Sequence, residues 1–192
     1  MQQGRAMMDK LARSQAPLYR TGESGSGKEL AARLIHEGGA RRDKPFVPVN
    51  CGAIPENLME SEFFGYRKGA FTGAETDREG FFHAANGGTL FLDEVGEMIP
   101  EIQSKFLRVL DSGTFYRVGA TRKRRADFRL VSATNRDLKG EVAAGRFRKD
   151  LFFRVNGVKV VIPSLRERRE DIPLLVEHFT KPLPSQTRFT PQ

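Results

Sequence analysis

The sequence predicts an α/β protein built on a doubly wound, mainly parallel sheet. Short apolar segments alternate along the chain with segments whose apolar residues recur at helical spacing. A glycine-rich stretch separates the first predicted strand from the next predicted helix, and an Asp-Glu pair ends a later apolar strand. Ligands of such sheets bind beyond the carboxyl ends of the strands, so we expect the functional residues there.

The elements are predicted from local patterns. Strands are expected at five short, largely apolar segments: 17–21, 46–50, 89–92, 128–132 and 158–162. Helices are expected at 1–14, at 28–37, where Leu30, Leu34 and Ile35 recur at helical spacing, and from Pro100 to a stop at Gly113. Pro48 indicates a sheet edge or a strand end, since proline donates no backbone hydrogen bond. Arg20 is unexpected in a buried parallel strand, and its guanidinium should reach solvent or a partner.

Composition limits the class of protein. The chain has 192 residues, of which 39% are hydrophobic and 29% charged, as in an ordinary soluble domain. No apolar run approaches the roughly 20 residues that a membrane helix needs. The single cysteine, Cys51, excludes an intramolecular disulfide and favours a reducing cytoplasm; we expect it to be a small buried residue rather than a metal ligand. From Lys181 onward the sequence has three prolines and no periodicity, which predicts a frayed tail.

The net charge of +8 suggests anionic partners. Its strongest contribution is the run Arg122–Arg125, which lies between two predicted strands. A solvated turn is the favoured interpretation, because runs of like charge are usually exposed. A contact with an anion is the alternative.

The glycine-rich stretch matches the P-loop pattern of two glycines that frame four residues and precede a lysine. Its backbone N–H groups and the following helix N-terminus suit phosphate oxygens, and the lysine would reach the β- and γ-phosphates. A flexible Gly/Ser turn is the alternative, but the strand–loop–helix context favours ATP. The residues expected to bind the nucleotide are Gly22, Glu23, Ser24, Gly25, Ser26, Gly27, Lys28 and Glu29. Glu29 stands where the general pattern has a magnesium-binding Ser or Thr.

An acidic pair at a strand end would supply the second half of an ATPase site. Asp93 would hold Mg²⁺, and Glu94 would orient and deprotonate the attacking water. The alternative is that both residues only end a strand and cap a helix. Asn135 follows another apolar strand and could contact the γ-phosphate, although asparagine is also a common turn residue.

Several segments together resemble the NtrC-like enhancer-binding proteins, a branch of the AAA+ ATPases. The segments that carry the resemblance are Gly22–Glu29, Glu62–Tyr66, Gly69–Ala74, Gly87–Glu94, Ala133–Leu138, Gly145–Arg154 and Pro163–Pro173. The most specific is the intact GAFTGA loop, which consists of Gly69, Ala70, Phe71, Thr72, Gly73 and Ala74. The family's own P-loop has Glu after the lysine, so Glu29 agrees with it. The likeness runs from about Leu11 to Phe179. It implies a P-loop AAA+ α/β subdomain with a truncated lid, so we expect the nucleotide-binding subdomain at 1–170 and the start of the lid with the frayed tail at 171–192.

The resemblance implies a function and further roles. It implies an oligomeric ATPase, expected to be a hexameric ring with Mg²⁺, that activates sigma-54 RNA polymerase holoenzyme in the manner of two-component transcription activators. Phe71 and Thr72 would contact sigma-54, and Asn50 would bind the Glu94 carboxylate in one nucleotide state and release it in another. Arg148 and Arg154, in a segment resembling the arginine-finger helix, would reach a neighbouring subunit's site. DNA would be bound only by a domain absent from this chain.

Three alternatives stay open from the sequence. Phe71 could pack into the core as part of an ordinary turn. The chain could hold nucleotide without turning it over, because the expected lid is truncated. It could also belong to a different AAA+ machine, although the GAFTGA loop argues against this.

Overall fold

The computed structural model describes residues 18–21, 27–161, 165–167, 169 and 172–173, and for 18–21, 158–161 and 165 it describes the backbone alone. The chain divides into two compact units, Met1–Ile162 and Pro163–Gln192. In the second unit, Leu165–Glu167 form a short 3₁₀ turn. The helix expected at 1–14, the loop residues 22–26 and the tail from Lys181 lie outside the described residues, as does the side chain of Arg20.

The first unit is built on a five-stranded sheet in which every neighbouring pair is parallel. Its strands are β1 (Leu18–Thr21), β2 (Phe46–Asn50), β5 (Thr89–Asp93), β8 (Arg129–Thr134) and β9 (Val158–Val161). The order across the sheet is β2-β5-β8-β1-β9. The predicted doubly wound sheet is confirmed, and the described part of β2 lies at its edge, as Pro48 indicates.

Helices pack against both faces of this sheet. They are α1 (Lys28–Glu37), α2 (Glu56–Phe64), α3 (Phe81–Ala84), α4 (Pro100–Ser112), α5 (Leu138–Ala143) and α6 (Lys149–Val155). Because side chains alternate along a strand, Leu90 and Leu92 of β5 enter the larger core, whereas Phe91 enters a smaller core with Ile35 of α1. Burial on both faces explains why the strands are apolar almost without interruption.

The buried face of α1 differs from the expected one. Leu30 and Leu34 are 61% and 51% exposed, while Ile35 is fully buried. The other buried residues of the helix are Lys28, Ala31, Ala32 and His36. The small side chains face the sheet, so the spacing of the leucines predicts the helix correctly but not its inward face.

Two short antiparallel hairpins project from the first unit. Strand β3 (Gly65–Tyr66) pairs with β4 (Arg78–Glu79), and β6 (Thr114–Tyr116) pairs with β7 (Lys123–Arg125). The expected turn is therefore wrong for Lys123–Arg125, because these residues form a strand, whereas the expected exposure is confirmed for Lys123 and Arg125. The hairpins meet through a bridge between Tyr66 and Val118. No helix within the described residues has the length and apolarity needed to cross a bilayer.

Candidate functional site

The polar residues expected to act on nucleotide gather at the carboxyl ends of the parallel strands. Asn50 ends β2 and lies directly opposite Asp93, which ends the neighbouring strand β5. Asn135 follows the last residue of β8, and Gly27 precedes α1. Since the strands are parallel, their carboxyl ends all lie on the same side of the sheet, and residues far apart in the sequence are brought together there.

Lys28 is placed by the start of α1. Gly27 caps this helix in the left-handed conformation (φ 82°), which an amino acid with a side chain rarely adopts. Among the described residues, nothing lies within 4 Å of the point where a Cβ atom of Gly27 would stand. Lys28 is the first residue of the helix, and it is 5% exposed. The remaining expected phosphate ligands, Gly22 to Ser26, lie outside the described residues.

Glu29 lies on the exposed side of α1. Its carboxylate accepts a hydrogen bond from Arg33 at 3.2 Å, one helical turn further on. In this structure the Glu29 side chain therefore contacts Arg33.

The acidic pair adopts an unusual backbone conformation. Glu94 has φ 53° and ψ 43°, and it is the only described residue other than glycine with a positive φ. Such conformations cost about 1–3 kcal/mol and concentrate at functional sites. The backbone N–H of Glu94 donates to Asp93 Oδ1 at 2.9 Å, which holds the Asp93 carboxylate against the backbone at Glu94.

Gly52 lies against the Glu94 carboxylate. A Cβ atom at Gly52 would stand 2.3 Å from Glu94 Oε2 and 3.4 Å from Asn50 Oδ1. The Gly52 N–H donates to Asn50 Oδ1 at 2.8 Å. Within the described ranges no hydrogen bond joins Asn50 to Glu94. The amide oxygen of Asn50 accepts from the Gly52 N–H instead. Sequence reasoning missed Gly52, because only the fold brings it to Glu94.

Cys51 lies beneath this cluster and is 1% exposed, as expected for a small core residue. Burial raises the pKa of its thiol to about 12, so the thiol stays neutral. Nearby carboxylates add to the increase in the pKa, and they belong to Asp93, Glu94 and Glu97.

Arg136 ties together the loops that follow β5 and β8. Its guanidinium donates to Glu97 Oε2 at 2.5 Å and lies 3.8 Å from Glu141. Its backbone N–H donates to Thr134 Oγ1 at 3.1 Å. Asn135 stands between Thr134 and Arg136 and is exposed. Arg136 is a second positioning residue that the sequence pattern did not single out.

The two candidate finger arginines occupy different settings. Arg148 precedes α6 as its N-cap, whereas Arg154 lies in the last turn of that helix. The Arg148 guanidinium binds Asp150 at 2.8 Å, and its backbone N–H donates to Gln103 Oε1 at 2.8 Å. Arg154 donates to the Leu110 carbonyl at 2.9 Å. Both side chains are exposed on the first unit.

The loop Gly69–Ala74 forms the tip of the β3–β4 hairpin. A hydrogen bond from Gly69 N–H to the Ala74 carbonyl, 2.8 Å long, closes it. Gly69 and Gly73 have φ values of 79° and 95°, which glycine adopts without strain. Phe71 is 44% exposed and belongs to neither core cluster, so the alternative that it packs into the core is wrong.

The ring of Phe71 rests on Tyr66 at the hairpin stem, with ring centroids 4.9 Å apart. In the hairpin stem, Asp77 accepts a hydrogen bond from the Lys68 N–H at 2.9 Å and forms an ion pair with Arg67 at 3.1 Å. The buried Arg117 of the second hairpin also binds Asp77, at 3.2 Å. The stem is thus held firmly, and the aromatic tip is presented to solvent.

Fold and site together define a class of protein: a parallel α/β domain with polar residues at the carboxyl ends of its strands and an exposed aromatic loop. A family model described as "Sigma-54 interaction domain" matches residues 1–161, and the chain belongs to this family.

Named relatives agree with this membership. The response regulator protein PilR of Pseudomonas aeruginosa is 57% identical over 183 residues, which are 95% of this chain and 41% of PilR. The regulatory protein AtoC of Escherichia coli is 51% identical over 189 residues, again 95% of this chain and 41% of the relative. A crystal structure of NtrX from Brucella abortus with ATP has a TM-score of 0.85 and 44% identity, covering 94% of this chain and 41% of NtrX. The chain therefore spans less than half the length of these relatives.

Proposed function

We propose that this chain is the ATP-hydrolysing domain of a cytoplasmic transcription activator that remodels sigma-54 RNA polymerase. One observation carries the proposal. An acidic pair, two asparagines and a helix-starting lysine meet at one edge of the sheet, while a separate hairpin presents an exposed phenylalanine. The first set suits phosphate chemistry, and the second suits a protein partner.

ATP and Mg²⁺ are the cofactors of the proposal. The open space beside Gly27 allows phosphate oxygens to approach the backbone and the N-terminus of α1. Lys28 would neutralise the β- and γ-phosphates. Mg²⁺ commonly uses one or two carboxylates together with phosphate oxygens, which fits Asp93, and no cluster of three or more metal-binding side chains occurs among the described residues. When bound, the ion would neutralise charge that develops on the phosphates.

Hydrolysis would depend on Glu94. Its carboxylate would orient the attacking water and accept its proton. Asn135 would contact the γ-phosphate or the water. Asn50 would exchange its present bond to the Gly52 N–H for one to the Glu94 carboxylate, which would report the nucleotide state to the rest of the domain.

The ring would complete each site in trans. Arg148 and Arg154 would enter the neighbouring subunit's site in a ring, proposed to be a hexamer, and arginine fingers contribute about 10³–10⁵ to the rate. Each arginine would first have to leave the partners it binds within its own chain, Asp150 for Arg148 and the Leu110 carbonyl for Arg154. Turnover should therefore rise with assembly.

Sigma-54 would be bound by Gly69–Ala74. Phe71 is half exposed on a glycine-framed tip, so it can enter a partner's apolar surface without unfolding the domain. We also propose that residues 1–170 form the nucleotide-binding subdomain and that residues 171–192 begin the lid. Sequence-specific contact with enhancer DNA would belong to a different domain.

The test is ATP hydrolysis measured over a range of protein concentrations. Specific activity should increase with concentration, because the finger is supplied by a neighbour. Glu94→Gln should bind ATP as wild type does and lose turnover by about 10²–10⁴-fold, the usual contribution of general base catalysis. Near-wild-type turnover of Glu94→Gln would remove the proposed role of that carboxylate.

A second candidate function is nucleotide binding without turnover. It is favoured by one observation, namely that both candidate fingers are engaged within their own chain. Tight ATP binding with no phosphate release at any protein concentration would support it. Membership of the sigma-54 interaction family decides against a different class of AAA+ machine.

A further inference from the structure

A basic groove beside the second hairpin has no part in the proposed function. It has a volume of about 430 Å³. It lies between strand β7 and the residues that end and follow α3, and it is lined by His83, Asn86, Arg122, Lys123, Arg124 and Arg125. Four of these six side chains are permanently cationic, and no carboxylate is among the described residues that line it.

The cations of the run divide into two groups. Arg124 is turned toward the protein and donates to both carboxylate oxygens of Glu79, at 3.0 and 3.1 Å. Lys123 and Arg125 flank Arg124 on β7, and all three line the groove together with Arg122. Arg122, Lys123 and Arg125 are exposed, and none of the three forms an ion pair with a described residue. Among the described residues, Arg124 is therefore engaged by a salt bridge and Arg125 in part by the charge of Asp127, and Arg122 and Lys123 are the most available to an external partner.

The carboxylates near the groove are already engaged. Glu79 binds Arg124 and, at 3.4 Å, the buried Arg117. Asp127 binds Arg41 at 2.9 Å, which lowers the pKa of this carboxyl group. Both carboxylates are bound mainly by other residues, and Arg125 contributes to the lowered pKa of Asp127, so among the described residues the groove keeps a net positive charge.

Asn86 adds an uncharged donor. Its Oδ1 accepts a hydrogen bond from the Asp127 N–H at 2.9 Å, which leaves the amide nitrogen of the side chain to donate elsewhere. Arg, Lys and Asn side chains are the donors that proteins commonly use toward DNA phosphates.

We propose that the basic groove binds the phosphate backbone of duplex DNA without reading its sequence. Several cations around a concave surface suit a polyanion such as the phosphate backbone of DNA. The groove adjoins Glu79, at the base of the hairpin that carries the exposed Phe71. DNA held there would lie beside the surface proposed to engage sigma-54. The inference stands on charge and geometry alone and does not require ATP hydrolysis.

The experiment measures binding of the 192-residue chain to a short fluorescein-labelled duplex by anisotropy, without nucleotide, over a series of salt concentrations. The variant Lys123→Gln/Arg125→Gln removes two exposed cations from one face of β7. Each phosphate contact contributes about 0.9 to the slope of log K against log salt. The slope of the variant should therefore be smaller than that of wild type by about 1.8. If the two proteins bind equally at about 1 M salt, the variant should bind about 60-fold more weakly than wild type at about 0.1 M salt.

Lys139→Gln/Lys149→Gln is the matched control, because it removes the same charge from exposed positions on other elements. Its affinity and slope should stay close to wild type. Equal losses in both variants would show attraction by net charge alone and overturn the proposal, as would no loss in either. A poly-glutamate peptide of matched charge is tested as a competitor of the labelled duplex. If it competes as well as unlabelled duplex does, the groove is assigned to acidic protein segments instead. Thermal melting of each variant confirms that it is folded.

Discussion

Replacing Gly52 by alanine should displace the Glu94 carboxylate and slow hydrolysis without preventing nucleotide binding. The new Cβ atom would stand 2.3 Å from Glu94 Oε2, and an ordinary contact begins at 3.4 Å, so the carboxylate must retreat by about 1.1 Å. Misplacing a catalytic group by about 1 Å can reduce the rate about 100-fold. The obstacle is the end of a flexible side chain, so we expect stability to change by less than about 1 kcal/mol.

The assay is steady-state ATP hydrolysis by the full-length protein that contains this chain, with calorimetric ATP binding and thermal melting on the same samples. The matched control is Gly52→Ala combined with Glu94→Gln. If alanine acts through the carboxylate, the double variant should be no slower than Glu94→Gln alone, because residues that act as a unit are not additive. Turnover of Gly52→Ala within threefold of wild type would refute the reasoning, and so would a further large loss in the double variant.

The remaining predictions concern three other residues. Lys28→Ala should weaken ATP binding measured by calorimetry by at least about 10-fold, since hydrogen bonds to charged groups contribute about 1.5–3 kcal/mol; unchanged affinity would remove Lys28 from the site. Phe71→Ala should cost about 1 kcal/mol or less because the ring is half exposed, whereas truncating the buried Phe106 should cost about 3–5 kcal/mol. The Phe71 variant should keep ATP hydrolysis and lose sigma-54 capture in a pull-down, and retained capture would contradict the proposed contact. Burial lowers the pKa of His36 from its usual 6.5, so the unfolded state takes up a proton before the folded state does as pH falls. The midpoint of urea unfolding should therefore decrease below about pH 6.5. If the midpoint falls equally in His36→Gln, the loss of stability belongs to other groups.

Much of the site is predictable because its parts are local patterns placed by one topological rule. The strand and helix around Gly27 and Lys28 each follow from a few neighbouring residues, and so does the acidic end of β5. Parallel strands have their carboxyl ends on the same side of the sheet, which predicts that Asn50, Asp93 and Asn135 gather there. Pro48 predicts that β2 is an outermost strand, since such a strand tolerates the missing backbone donor of proline.

Errors arise where the sequence offers two surfaces or two partners. The spacing of Leu30 and Leu34 predicts a helix, but the sheet accepts its small residues, and both leucines are exposed. The basic run is judged a turn from its charge, but it forms a strand because Thr114–Tyr116 pairs with it and Glu79 accepts Arg124. In both cases, the deciding contact comes from another part of the chain.

By itself, the sequence determines the five strands of the central sheet, the helices α1 and α4, the P-loop pattern, the acidic pair and the family, because each depends on residues that are neighbours in the chain. Only the tertiary structure decides that Gly52 touches Glu94, that Arg136 binds Glu97, and that Phe71 stays outside the core. These contacts depend on ångström-scale distances between segments that no local pattern relates. Such distances follow from how the whole sheet packs, and they appear only when the chain is folded.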